Sequence, residues 1–214
     1  LVILQNQYSP DGFYIIDDLF TQSEEYVISF CNNLYVSGLN MLWGCNAKIS
    51  TITYPMLKAM AKTGCIQIDF GIERGSDEEL MRIKKYQTIA ATKQAFKWCK
   101  ELGIRTFANF LIGIEGESLK HLKHIRRLTE ELKPTVVSYN VYTAYPGTQL
   151  KEGGNRKKLI KWAELCNKKY NKVSEAVRFH SSKKYLSKVL RSPKLSQYLA
   201  KSGDLAKETI NQLL

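Results

Sequence analysis

Carboxylates beside glycines recur at the ends of apolar runs in this chain, and that pairing can do chemistry. Gly64-Cys-Ile-Gln-Ile-Asp-Phe-Gly-Ile-Glu-Arg-Gly-Ser76 sets Glu73 just past Gly71-Ile72, and Phe107-Ala-Asn-Phe-Leu-Ile-Gly-Ile-Glu-Gly-Glu117 sets Glu117 just past Gly113. An earlier apolar run closes on Asp17-Asp18. A carboxylate so placed can take an ammonium through a charge-assisted hydrogen bond or accept from hydroxyls, while a bare glycine lets a ligand approach the backbone. Each residue also has a plainer role. Aspartates are common in turns before a helix cap, and Glu117 opens a helix whose dipole favours acids.

The elements that position these tips follow from the apolar period, which switches repeatedly between strand and helix. Strands are expected at 12–16, 41–45, 65–70, 106–112 and 136–142, the first entered almost directly from Leu1. The run from Cys65 to Phe70 is apolar enough to be covered on both faces. Thr21 with Glu24 and Ser76 with Glu79 have capping-box spacing, Thr88 starts a longer helix, and Pro55 suits a first helical turn. Gly64 and Gly103 suit helix ends, and Pro134 stops the helix that begins near Leu119. Strict alternation implies a parallel α/β sheet, open or curled into a barrel. After Pro146-Gly147 the strand pattern stops and Gly153-Gly154-Asn155 breaks the chain, so a boundary is expected near 150.

Composition separates the two parts. Residues 1–150 carry 16 basic and 15 acidic side chains, whereas 151–214 carry 16 and 5. No apolar run reaches the roughly 18 residues of a membrane helix, and no signal-peptide pattern is present, which points to the cytoplasm. The five cysteines, Cys31, Cys45, Cys65, Cys99 and Cys166, are too dispersed for a metal knuckle and read as buried apolar residues of a reducing compartment. His121 and His124 could offer two ligands from one helix, but no third is apparent and a solvated face is the simpler reading. Tyr170, Phe179, Tyr185 and Tyr198 lie among the basic residues of 151–201, a pattern that suits either nucleic-acid stacking or amphipathic helices packed on the first domain, the latter being favoured.

Six short segments together resemble the radical S-adenosylmethionine (radical SAM) enzymes, in particular their cobalamin-associated branch. They are Asp17-Asp-Leu-Phe-Thr21, Trp43-Gly-Cys-Asn-Ala-Lys48, Gly64 to Asp77, Ile83-Lys-Lys85 with Thr88, Phe110 to Glu117, and Tyr145-Pro-Gly-Thr148, which span about 130 residues in the expected order. The resemblance implies a partial parallel (β/α)6 TIM-like barrel, here strands two to six over 1–150, followed by a basic helical C-terminal extension over 151–214. It also implies reductive cleavage of S-adenosylmethionine to a 5'-deoxyadenosyl radical, or methyl transfer through cobalamin. The family holds a 4Fe-4S cluster on a Cys-x-x-x-Cys-x-x-Cys loop that this sequence lacks. The chain is therefore expected to be inactive alone, its upstream part missing, or else to be a degenerate barrel serving as scaffold or nucleic-acid-binding protein.

By the same resemblance, Asp17 and Asp18 meet the cofactor's amino group, Glu73 its ribose, and Gly113 to Glu117 its adenine. Lys48 replaces an Arg that can partner a carboxylate, though without the planar fork. Glu115 replaces the family's Pro and Ser118 its Thr. Arg74 replaces a Ser; an ordinary surface ion pair with a glutamate is its plain role. Lys84 and Lys85 either face the barrel mouth or end a basic helix, and the Tyr145 to Thr148 turn reads as structural.

Overall fold

A computed structural model describes residues 1–18 and 20–172; the remainder of the basic extension, including Phe179, Tyr185 and Tyr198, lies outside the described residues. Five strands form one sheet in the order β1 (Gly12–Ile15), β2 (Leu42–Ala47), β3 (Cys65–Glu73), β4 (Arg105–Ile112), β5 (Val136–Val141), every neighbouring pair parallel. The sheet is open, with β1 and β5 at its edges. Parallel neighbours need crossovers, and helices supply them: α2 (Glu24–Val36), α3 (Tyr54–Lys62), α4 (Asp77–Arg82), α5 (Ile89–Glu101) and α6 (Leu119–Leu132). The longer crossover helices touch in turn, α2 on α3, α3 on α5 and α5 on α6, as a layer must when every crossover turns the same way.

Side-chain alternation assigns the faces. Ile68, Phe70 and Ile72 of β3 and Thr106, Ala108, Phe110 and Ile112 of β4 are buried, while Gln67, Asp69, Gly71 and Glu73 and their β4 counterparts Arg105, Phe107, Asn109 and Leu111 are only half-buried. The expectation that β3 is covered on both faces is thus corrected. Its polar residues sit at every second position and share one uncovered face. β3 also runs three residues further than its apolar run suggests, because pairing with β4 continues to Glu73 across a register shift after Gly71.

Capping chemistry sets most helix starts. Ser76 accepts from the Glu79 N–H (3.4 Å) and Thr88 from the Ala91 N–H (3.1 Å), and Pro55 lies in the first turn of α3. The expected Thr21 cap is displaced to Ser23, which accepts from Tyr26 N–H at 3.2 Å. Phe20 must bury its ring against Phe30 and Trp43, so Thr21 is drawn inward in a tight turn. A short helix, α1 (Val2–Tyr8), precedes β1 where the pattern leads straight to a strand. Past the sheet, α7 (Arg156–Tyr170) starts at Asn155 and lies on β5, with Leu159, Ala163 and Cys166 in the common core and Trp162 edge-on to Tyr139. The Asn171 amide brackets the Val137 backbone (2.8 and 2.9 Å) and fixes the far end. No helix among the described residues is long and apolar enough to cross a membrane.

Candidate functional site

Because all five strands run the same way, their C-terminal tips form one edge, and the residues singled out by sequence gather there. Asp17 and Asp18 follow β1, Lys48 follows β2, Glu73 ends β3, and Gly113 follows β4. Glu117 opens the loop into α6. The first two tips are tied together by hydroxyls: the Lys48 N–H donates to Thr21 Oγ1 (3.4 Å), which lies 3.3 Å from Thr51 Oγ1. The Phe20 N–H donates to the Asp17 carbonyl (3.3 Å), so burial of Phe20 sets the turn that presents both exposed aspartates.

Glu73 is held in an unusual way. Its φ is +66°, in the left-handed region that a β-carbon disfavours. Such strain persists only where neighbours over-determine it. Here the buried Gln87 amide donates to the carbonyls of Gly71 (3.2 Å) and Ile72 (3.1 Å), which fixes the backbone just before Glu73. Lys85 Nζ lies 3.1 Å from Glu73 Oε1 in a pair left partly open, 30% and 23% exposed. Gly71 makes the room, since a β-carbon there would meet the Glu73 carboxylate and stand 3.0 Å from Lys85 Nζ. Lys85 therefore faces the mouth, while Lys84 turns to Gln149 (3.1 Å).

Glu117 is buried and committed. Arg74 grips it with two hydrogen bonds of 2.9 and 2.8 Å, and the Gly113 N–H adds a third at 2.8 Å. Burial by itself would raise the Glu117 carboxyl, but the Arg74 guanidinium and the Gly113 N–H outweigh it and hold the group below the ordinary carboxylate range. Arg74 is 0% exposed, so its ion pair is not the surface one of its plainer reading, and it also binds the Leu111 carbonyl (2.8 Å) and Glu79 (3.3 Å). For Arg74, burial opposes the charge, yet the two glutamates more than restore it and its pKa rises. The bridge fastens the β3 tip to the Gly113 turn. Glu117 thus fixes the loop that carries Gly113.

His121 and His124 are turned inward, which corrects the solvated-face reading. His121 Nε2 lies 3.5 Å from Glu79 and its Nδ1 3.6 Å from Glu117, while His124 Nδ1 lies 3.8 Å from Glu79. They come this close because Gly75 has no β-carbon, which would strike the His124 and Ile125 backbone. Gly113 itself has φ +82°, and its carbonyl accepts from the Gly153 N–H (2.8 Å). The segment before α7 therefore straps across the β4 tip, with Ile114 bridged to Glu152. Sequence reasoning placed Lys85 at the mouth as one of two readings, but missed Arg74 and Gln87 as organisers. The one signal was Arg74 standing in place of Ser.

A profile of the family described as the Radical SAM superfamily matches residues 21–129. An uncharacterized methyltransferase of Pyrococcus horikoshii is 27% identical over 200 residues, which cover 93% of this chain and 43% of that protein. The anaerobic magnesium-protoporphyrin IX monomethyl ester cyclase of Rubrivivax gelatinosus is 28% identical over 150 residues, 69% of this chain and 27% of its own length. The chain thus spans less than half the length of either relative. Among solved structures, the radical S-adenosylmethionine methyltransferase TsrM of Kitasatospora setae, with cobalamin and a 4Fe-4S cluster bound, superposes with a TM-score of 0.56 at 17% identity. That alignment covers 65% of this chain and 29% of TsrM. At that identity the likeness speaks for the fold.

Proposed function

The chain belongs to the Radical SAM superfamily, and on that premise we propose that its C-terminal strand edge holds S-adenosylmethionine. Asp17 and Asp18 would meet the ammonium of the methionine moiety and Lys48 its carboxylate; Glu73 would accept from the ribose hydroxyls, and the Gly113 backbone would lie along the adenine. Within the whole protein the cofactor would supply either a 5'-deoxyadenosyl radical by reductive cleavage or, with cobalamin, a transferable methyl group. The chain's own residues bind and orient it. The observation that carries this reading is Glu73, a carboxylate kept in a disfavoured backbone conformation at the mouth by Gln87 and Lys85. Strain retained at a strand tip is a mark of a working site.

The described residues do not fit the 4Fe-4S cluster. Among them, no group of three or more His, Cys, Asp or Glu could hold a metal ion. None of the five cysteines forms a disulfide and all are buried, a setting in which burial pushes the Cys31 thiol up to about 11, and the hydrogen bond that the Cys45 thiol makes to Cys65, together with burial, raises Cys45 further. Thiols so raised stay protonated, and the thiolate is the ligand form. No residue described here is assigned to the cluster. Buried cysteines that form no disulfide also support a reducing, cytoplasmic setting.

Isothermal titration of the chain with S-adenosylmethionine tests the assignment. Saturable binding is expected, weakened about tenfold or more by Glu73→Gln and by Asp17→Asn with Asp18→Asn, the loss that follows from removing a charged hydrogen bond. Binding that ignores these changes would overturn the residue assignment. No heat up to millimolar ligand would favour the non-catalytic scaffold instead.

A further inference from the structure

A second polar cluster lies on the uncovered face of the sheet, well below the mouth. Gln67 and Arg105 pair in register across β3 and β4, and Asp69 stands one row up beside Phe107. Tyr14 lies over Gly44, whose missing β-carbon leaves space for the ring, and donates to Asn46 Oδ1 at 3.1 Å. The Gln67 amide donates to Asp69 Oδ1 at 2.8 Å. Asp69 is thereby held by a neighbour on the same face, and the Tyr14 hydroxyl of β1 bonds to it as well.

Arg105 is left over. Its Nε is buried and has no hydrogen-bond partner among the described residues. Asp69 is near enough to feel its charge, yet the two form no ion pair among the described residues. Buried polar atoms in folded proteins are almost always satisfied, and a guanidinium cannot shed its charge to escape the cost. Arg105 itself is only half-buried on this polar sheet face, and a ligand with two acceptor oxygens is what its planar fork would grip side by side.

We infer that Arg105 anchors an oxyanion, the carboxylate or phosphate of a substrate lying along the uncovered face. This rests on the proposed function for the other end of that substrate. Six residues of β3 separate the Arg105 row from Glu73, about 20 Å along the strand. A substrate anchored by Arg105 and reacting at the mouth must therefore be extended, with its acidic group remote from the reacting carbon. Asp69, its carboxyl raised by burial, sits beside the anchor as a hydrogen-bonding neighbour and, when ionised, selects against excess negative charge.

The test is a titration of the 15N-labelled 214-residue chain with succinate and, separately, inorganic phosphate, read at the arginine Nε–H resonances. The Arg105 signal is identified by its absence in Arg105→Lys, a variant that keeps the charge. Saturable movement of that signal at about 1 mM ligand or below supports the anchor, and the anion that moves it more tightly names the substrate's acidic group. Asp69→Asn should tighten binding several-fold. No saturable movement with either anion, or equal movement of the other arginine signals, overturns the inference. Binding of S-adenosylmethionine measured on the same sample keeps the two proposals apart: if it persists while the Arg105 signal stays still, only the anchor is lost.

Discussion

At the scale of single residues, the Arg74 to Glu117 bridge dominates. Each charge has been taken out of water and is repaid only by its partner, so removing one leaves the other stranded. Arg74→Met or Glu117→Met alone should cost about 3–5 kcal/mol, and the double change less than the sum of the two, measured by denaturant unfolding. The Glu117 carboxyl is held below its unfolded value of about 4.3. Its contribution is therefore complete above that pH and disappears as pH falls through the lower, folded value. The acid limb of the stability curve should be shallower in Glu117→Gln than in the parent. Replacing Glu73 has the opposite effect on stability, through the backbone. Glu73→Gly relieves a left-handed φ and should raise stability by about 1 kcal/mol while weakening S-adenosylmethionine binding, visible as a higher melting temperature with a smaller ligand-induced shift.

At the scale of elements, strand and helix order was legible because apolar period and capping chemistry agree. Ser76, Thr88 and Pro55 each mark a helix start in sequence and in space. Where local signals compete, tertiary packing decides: Thr21 has a cap's spacing, but its neighbour Phe20 belongs to the core. The site was legible in part for the same reason. Position at a strand tip can be read from pattern, so Asp17, Asp18, Lys48, Glu73 and Gly113 fall at one edge. Partners distant in sequence cannot be read that way, and Arg74 meets Glu117 across 43 residues. Close approach leaves a fainter trace in glycine. Gly75→Ala would push α6 off the β3–α4 turn and should destabilise strongly, since the obstacle is backbone. Gly71→Ala meets only the movable ends of Glu73 and Lys85, so thermal melts should show a small cost while ligand affinity falls.

At the scale of the whole molecule, a single layer of helices among the described residues covers one side of an open parallel sheet, and none of the described helices covers its polar side. The geometry separates two ends. Charged tips and bare glycines meet at the C-terminal edge, and Arg105 waits near the other. The strap from β5 to α7 closes over the β4 tip, so the basic extension begins as part of the same body. A crystal structure of the chain soaked with S-adenosylmethionine would bear most directly on the central claim. The account predicts the nucleoside at the C-terminal edge, ribose hydroxyls on the Glu73 carboxylate and adenine along Gly113; density for the ligand at the N-terminal edge or on the helical face would contradict it.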